Sequence, residues 1–138
     1  MRGSATSPGA DDGTGIGIGI GIGITQAARE AGLSVHTLRY YEDQGLLRPD
    51  RDVGGRRTYR PDDLRRLRFV RQMRRSGMSM QALRRYVALS DAGPATVPER
   101  QQMMLDHAAR VAADMQDLAE ALATTRHKIR TYDGHPEP

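Results

Sequence analysis

Beyond residue 24 the apolar positions fall into short runs with helical spacing, separated by glycine, proline and short polar segments. Thr25 to Ala31 predicts a short helix whose Ala27, Ala28 and Ala31 are small enough for close packing, with Gly32 as the turn. Ser34 then caps a second helix from Val35 to about Gln44, which Gly45 terminates. Residues 48–59, RPDRDVGGRRTY, predict a hairpin around Gly54-Gly55, because that pair supplies the positive φ of a tight turn. Pro61 in a first turn, with Asp62 and Asp63 at the positive dipole end, opens a third helix that runs to Arg74 and Arg75. Gly77 stops it, and Ser79 caps a fourth from Met80 to about Leu89. DAGPATVP follows as a linker. The expected fold is mainly α, with one small β-hairpin.

The clearest periodicity is in the last helix, about Glu99 to Tyr132. Met104, Ala108, Val111, Met115, Leu118, Leu122, Thr125, Ile129 and Tyr132 are spaced alternately by four and three, a coiled-coil seam over four heptads. At 1.5 Å per residue this helix is on the order of 50 Å long, more than a domain of about 60 residues can cover. Its stripe is therefore expected to meet a second copy of itself, forming a homodimer, rather than to fold back on its own domain. Asp114 stands at a g position and faces Ala119 in a parallel pairing, but Lys128 in an antiparallel one centred near Ala121. The antiparallel coiled coil is the expected arrangement.

Before residue 24 the pattern is different. Gly, Ser, Thr, Pro and Asp precede a strict alternation of Gly and Ile ending at Ile24. Alternate glycines weaken β-structure and leave one face with nothing to pack, so a largely disordered tail is expected, its last Ile residues joining a short strand. The dinucleotide pattern G-x-G-x-x-G needs an odd offset between its second and third Gly. Every Gly here stands at an odd position, so the fingerprint is absent, and no G-K-[ST] completes a phosphate loop. The expected layout is a tail at 1–22, a compact domain at 23–90, a linker at 91–98, the coiled-coil helix at 99–132 and a flexible tail at 133–138.

Charge sharpens this layout. Residues 24–86 hold fifteen Arg against seven acids, whereas residues 87–138 hold five basic groups against eight acids and residues 1–23 one against two. The formal net charge of +4 thus conceals an excess of +8 in one domain-sized stretch. Such an excess points to a polyanion, since phosphate neutralisation with counterion release supplies most sequence-independent affinity for nucleic acid. A solvated charged face is the alternative, and motifs decide between them.

Within the stretch, Ala28, Gly32 and Leu38 have helix-turn-helix spacing: a small residue at the helix contact, a turn residue and a buried anchor. Val35, Leu38 and Tyr41 fall on the buried side of the second helix, leaving His36, Thr37, Arg39 and Tyr40 outward. That exposed set suits a reading helix. The helix N-terminus and the Ser34 hydroxyl suit phosphate, His36 and Thr37 are short enough for base edges, and Arg39 and Tyr40 reach base or backbone.

These residues carry a family resemblance. The segment from Ile24 to Val87 resembles the DNA-binding domain of MerR-family transcription regulators, with TLRYYE, GLL, the RRTY wing and DLRRLRFVRQMRRSGMS in matching order and spacing. The resemblance extends from about Gly23 to Tyr132 and implies a winged helix-turn-helix, a helical pair and a long antiparallel dimerisation helix. It further implies two recognition helices in successive major grooves of a palindromic promoter operator, wings on flanking phosphates, and bending and untwisting of the DNA. An over-long promoter spacer is thereby brought into phase for RNA polymerase. By position, His36, Thr37, Arg39 and Tyr40 belong to the recognition helix, and Arg56, Arg57 and Tyr59 to the wing. Arg60 departs from the pattern, standing where the family usually has a small capping side chain.

Other chemistry is limited. The chain has no Cys, which removes disulfides, thiolate metal sites and the thiol-based sensing of many family members. His107, His127 and His135 show no H-x₃-H spacing and are expected to be solvated, with no metal or cofactor bound. Met73, Met78, Met80, Met103, Met104 and Met115 are candidates either for core or for a site that takes an unknown apolar small-molecule effector. No catalytic constellation is found. An architectural DNA binder of the excisionase type shares the winged fold, but the long seam argues against it. Without a run of 18 apolar residues or a secretory signal, a cytoplasmic, nucleoid-associated protein is expected, away from membranes.

Overall fold

The computed structural model describes residues 21–134. The Gly-Ile run up to residue 20 and His135 lie outside them. The elements are α1 (Ile24–Ala31), α2 (Val35–Asp43), β1 (Asp50–Arg51), β2 (Arg57–Thr58), α3 (Pro61–Arg75), α4 (Met80–Ala92), a 3-10 turn (Pro94–Thr96) and α5 (Val97–Tyr132). The chain divides into two compact units between Val87 and Ala88.

In the first unit α1 packs on both α2 and α3. Ala27, Ala28 and Ala31 are buried there, and their small side chains are what allows close helix approach. Gly32 ends α1 in the left-handed conformation at φ +75°, and its neighbour's N–H, on Leu33, donates to the Ala28 carbonyl at 2.9 Å. Leu38 is fully buried as the anchor of α2, joined in the core by Tyr41, Leu46, Leu47, Leu64, Leu67, Val70, Leu83 and Val87. Phe69 and Tyr86 stack at a tilt between α3 and α4, with ring centroids 5.1 Å apart.

The wing is smaller than the 48–59 hairpin expected. Asp50 pairs with Thr58 and Arg51 with Arg57, and the turn between them is organised by Asp52. Its carboxylate accepts the Gly54 N–H at 2.8 Å and the Arg56 N–H at 3.0 Å. Only Gly55 of the glycine pair takes a positive φ, +84°, so the expected two-glycine turn is corrected to an Asp-centred loop. As expected for the last Ile residues of the run, Ile22 joins the β-structure, forming an antiparallel bridge with Tyr59 in which the two backbones exchange hydrogen bonds of 2.9 and 2.8 Å. It is buried, so the domain begins one residue earlier than its apolar pattern indicates.

At Arg60 the missing small cap is replaced from the other side. The Asp63 carboxylate accepts the Arg60 N–H at 2.9 Å, while the Arg60 guanidinium pairs with Asp50 at 3.0 Å.

In the second unit the expected linker at 91–98 is an ordered turn. The α4 helix continues to Ala92, and Thr96 sits with its hydroxyl 2.6 Å from the Leu89 carbonyl and 2.8 Å from that of Gly93. Arg100 donates to the Thr96 hydroxyl at 2.9 Å. Helix α5 then starts at Val97, two residues early, because Pro98 suits a first turn as well as any residue. Over its 36 residues only His107 is buried. That corrects the expectation of a solvated side chain; His127 is half-buried. No helix among the described residues is long and apolar enough to cross a membrane.

Candidate nucleic-acid interface

The outward face of α2 is built as its spacing dictates. His36, Arg39 and Tyr40 are exposed and Thr37 is half-buried, while Leu38 and Tyr41 anchor the opposite side. The Ser34 hydroxyl accepts the Thr37 N–H at 3.0 Å and lies 2.9 Å from the Thr37 hydroxyl, to which it donates. Both hydroxyls are therefore engaged in the helix cap, and the backbone N–H groups of the first turn are what the helix presents to an anion. The Tyr40 ring is braced against Tyr41, with centroids 6.0 Å apart.

Glu42, which sequence reasoning passed over, connects this helix to the wing. Its carboxylate accepts Arg57 Nε at 2.7 Å through one oxygen and the Tyr59 hydroxyl through the other. The Glu42 side chain is only 9% exposed and that of Arg57 30%. Burial, followed by the hydrogen bond to Glu42, pushes the Tyr59 phenol well above its ordinary value, and the same carboxylate raises the Arg57 guanidinium. Tyr59 is 1% exposed, so its expected place among surface residues of the wing is corrected. It is a core residue that supports the wing, and Arg57 is half committed to Glu42. The acid at the end of TLRYYE, with Arg and Tyr two apart in RRTY, was the available sign of this bridge.

Arg39 from α2 and Arg51, Arg56 and Arg57 from the wing surround a recess of about 260 Å³ at the start of α1, beside Gly23 and Ile24. Gly23 offers no capping side chain, so the first N–H groups of α1 are not met by one. Of the four, only Arg57 has an acidic partner among the described residues; Arg51 reaches the Gly55 carbonyl at 2.8 Å, and Arg39 and Arg56 have no ion pair. Four guanidinium groups and a helix N-terminus thus line one hollow, an arrangement whose chemistry suits a phosphate.

Helix, turn, helix and wing, with the cationic hollow between them, define a winged helix-turn-helix DNA-binding protein. The chain belongs to the MerR helix-turn-helix family of regulatory proteins. Residues 23–89 match the family described as MerR HTH family regulatory protein, and residues 64–127 match its companion described as MerR, DNA binding. The chain is 34% identical over 118 residues to the HTH-type transcriptional regulator HmrR of Rhizobium leguminosarum bv. viciae, covering 83% of this chain and 89% of that one. Against the HTH-type transcriptional regulator AdhR of Bacillus subtilis (strain 168) the identity is 38% over 89 residues, 64% of each chain. Among solved structures, a putative MerR family regulator from Listeria monocytogenes superposes with a TM-score of 0.77 at 36% identity, over 83% of this chain and 87% of that one. HiNmlR, a MerR family regulator lacking the sensor domain and bound to promoter DNA, gives 0.78 at 26% identity, over 83% and 92%. The protein is thus a DNA-binding transcription regulator and not an enzyme.

Proposed function

We propose that this regulator is a cytoplasmic, nucleoid-associated homodimer that reads a palindromic operator within a promoter. The two α2 helices enter successive major grooves, with His36 and Thr37 toward the bases, Arg39 and Tyr40 toward base or backbone, and the backbone N–H groups after Ser34 toward phosphate. Arg56 and Arg57 of each wing hold flanking phosphates, with Tyr59 beneath them as support. Binding bends and untwists the DNA, which re-phases promoter elements for RNA polymerase. Backbone contacts offset the elastic cost of that deformation, on the order of 1–6 kcal/mol for a smooth bend. The observation that carries the reading is the convergence of Arg39 with Arg51, Arg56 and Arg57 at the N-terminus of α1. The likeness to HiNmlR, bound to promoter DNA, supports it. Footprinting on the protein's own promoter region tests it: a protected palindrome between elements with a long spacer is expected, and scattered protection would overturn it. Arg39→Ala and Arg56→Ala should each weaken binding and lower the salt slope by about one.

Dimerisation is assigned to α5 through Met104, Ala108, Val111, Met115, Leu118, Leu122 and Ile129. Met115, Leu118, Leu122 and Ile129 are 66%, 69%, 47% and 53% exposed in the single chain, a stripe that a second copy would cover. In the antiparallel pairing Asp114 meets the partner's Lys128. Asp114→Cys mixed with Lys128→Cys should then crosslink readily under oxidation, and crosslinking of Asp114→Cys with itself would contradict that arrangement. Any small-molecule effector would act without thiol chemistry, since the chain has no Cys.

A further inference from the structure

The seven arginines from Arg60 to Arg75 are not equivalent. Arg60 is paired with Asp50, Arg65 with Asp62, and Arg74 donates to the Met78 carbonyl at 2.8 Å. Arg66 also has a partner. Arg68, Arg71 and Arg75 have no ion pair among the described residues. Their spacing of three and four puts them on one face of α3, where like charges at these separations repel.

That face lines a recess of about 480 Å³ together with Gln72, Ser76 and Ala31 at the end of α1. Arg71 lies over the turn after α1. Its guanidinium carbon lies 3.1 Å from where a Cβ on Gly32 would stand, so Gly32 provides both the left-handed turn at φ +75° and the room for this side chain. The guanidinium is therefore laid directly against the turn that leads into α2. The recess is also separate from the DNA-facing hollow. One sits at the first residues of α1 and the other at its last, and an eight-residue helix is about 12 Å long.

Three uncompensated guanidinium groups around a concave space suit a phosphoryl group. Their planar forks match its oxygens in pairs, and the bound charge relieves their mutual repulsion. We propose that Arg68, Arg71 and Arg75 form a second phosphoryl-binding seat, whose occupant touches the helix-turn-helix turn through Arg71. The phosphoryl group has two available sources, a free phosphorylated small molecule or a backbone phosphate of the bound duplex.

The test uses the full chain and two readouts. The first is calorimetric titration with inorganic pyrophosphate in the absence of DNA, comparing wild type, Arg71→Gln/Arg75→Gln and Arg39→Gln. The second is the salt dependence of operator binding by the same proteins. A free ligand as the source predicts a saturable component of pyrophosphate binding that is weakened at least about tenfold in the double variant and retained in Arg39→Gln, which removes only binding at the hollow beside α2, with an unaltered salt slope. A backbone phosphate as the source predicts a salt slope smaller by about 0.9 for each phosphate that the variant no longer neutralises. An unchanged slope, together with pyrophosphate binding that is absent or insensitive to Arg71 and Arg75, overturns the seat. The exposed Arg68→Gln provides an independent variant should the double substitution lower the melting temperature. Because the first readout needs no DNA, it stands even if the proposed operator reading fails.

Discussion

The two units of this protein use the same amphipathic principle and reach opposite results. All the buried apolar side chains of the described residues lie between Ile22 and Val87, where short helices cover one another. Helix α5 has as regular an apolar stripe, yet Leu105, Met115, Leu118, Leu122, Ile129 and Tyr132 remain exposed. A short helix finds its cover within its own chain because turns return the chain to it. A helix of about 54 Å has no intrachain neighbour of matching length. Each large side chain left in water forgoes about 1.5–3 kcal/mol. The first unit thus buries its apolar face within its own chain, whereas the proposed association through α5 is what would cover the second.

The largest effect expected from breaking this contrast is Leu118→Asp with Leu122→Asp. Sedimentation should show a dimer reduced to monomer, while the first unit keeps its helical signal; an unchanged mass would remove the association argument. Next comes Leu38→Ala, which empties a fully buried position. A loss of about 2–5 kcal/mol in denaturant unfolding is expected, carried by the first unit. Glu42→Ala should cost about 1–3 kcal/mol, since it leaves the Tyr59 hydroxyl unsatisfied, and should weaken operator binding by releasing the wing from α2. Tyr59→Phe is expected to be mildest near neutral pH.

That same tyrosine makes a pH prediction with a definite sign. Its folded-state value is raised above the ordinary 10.0, so the folded protein holds the proton more tightly than the unfolded chain does. The stabilisation is complete below pH 10 and declines as pH rises from there through the folded-state value. Thermal melts across that alkaline range should fall more steeply for wild type than for Tyr59→Phe, and parallel curves would contradict the burial argument.

Much of this was legible in the chain. Ala28, Gly32 and Leu38 announced the helix-turn-helix because small, flexible and large apolar residues at those offsets have few other uses. The Ser34 and Ser79 caps and the start of α3 at Pro61 follow from local chemistry and stand where that chemistry put them. The burial of Tyr59 is not legible locally, because its neighbours Arg56 and Arg57 mark an exposed wing. Its own burial depends on Glu42, seventeen residues away, and on the bridge from Ile22. Glu42 itself reads as one more acid at a helix end until the wing is folded over it.

Periodicity, punctuation and charge placement thus decided the element order, the helix-turn-helix, the basic segment and the long seam, because each is a local property of neighbouring residues. Only the tertiary structure decided which arginines are spoken for. Arg57 and Arg60 meet acids brought from other elements, whereas Arg39 and Arg56 at one end of α1, and Arg68, Arg71 and Arg75 at the other, face open hollows. Charge pairing falls off within a few ångströms, so what an arginine can bind depends on which groups the fold carries to its side.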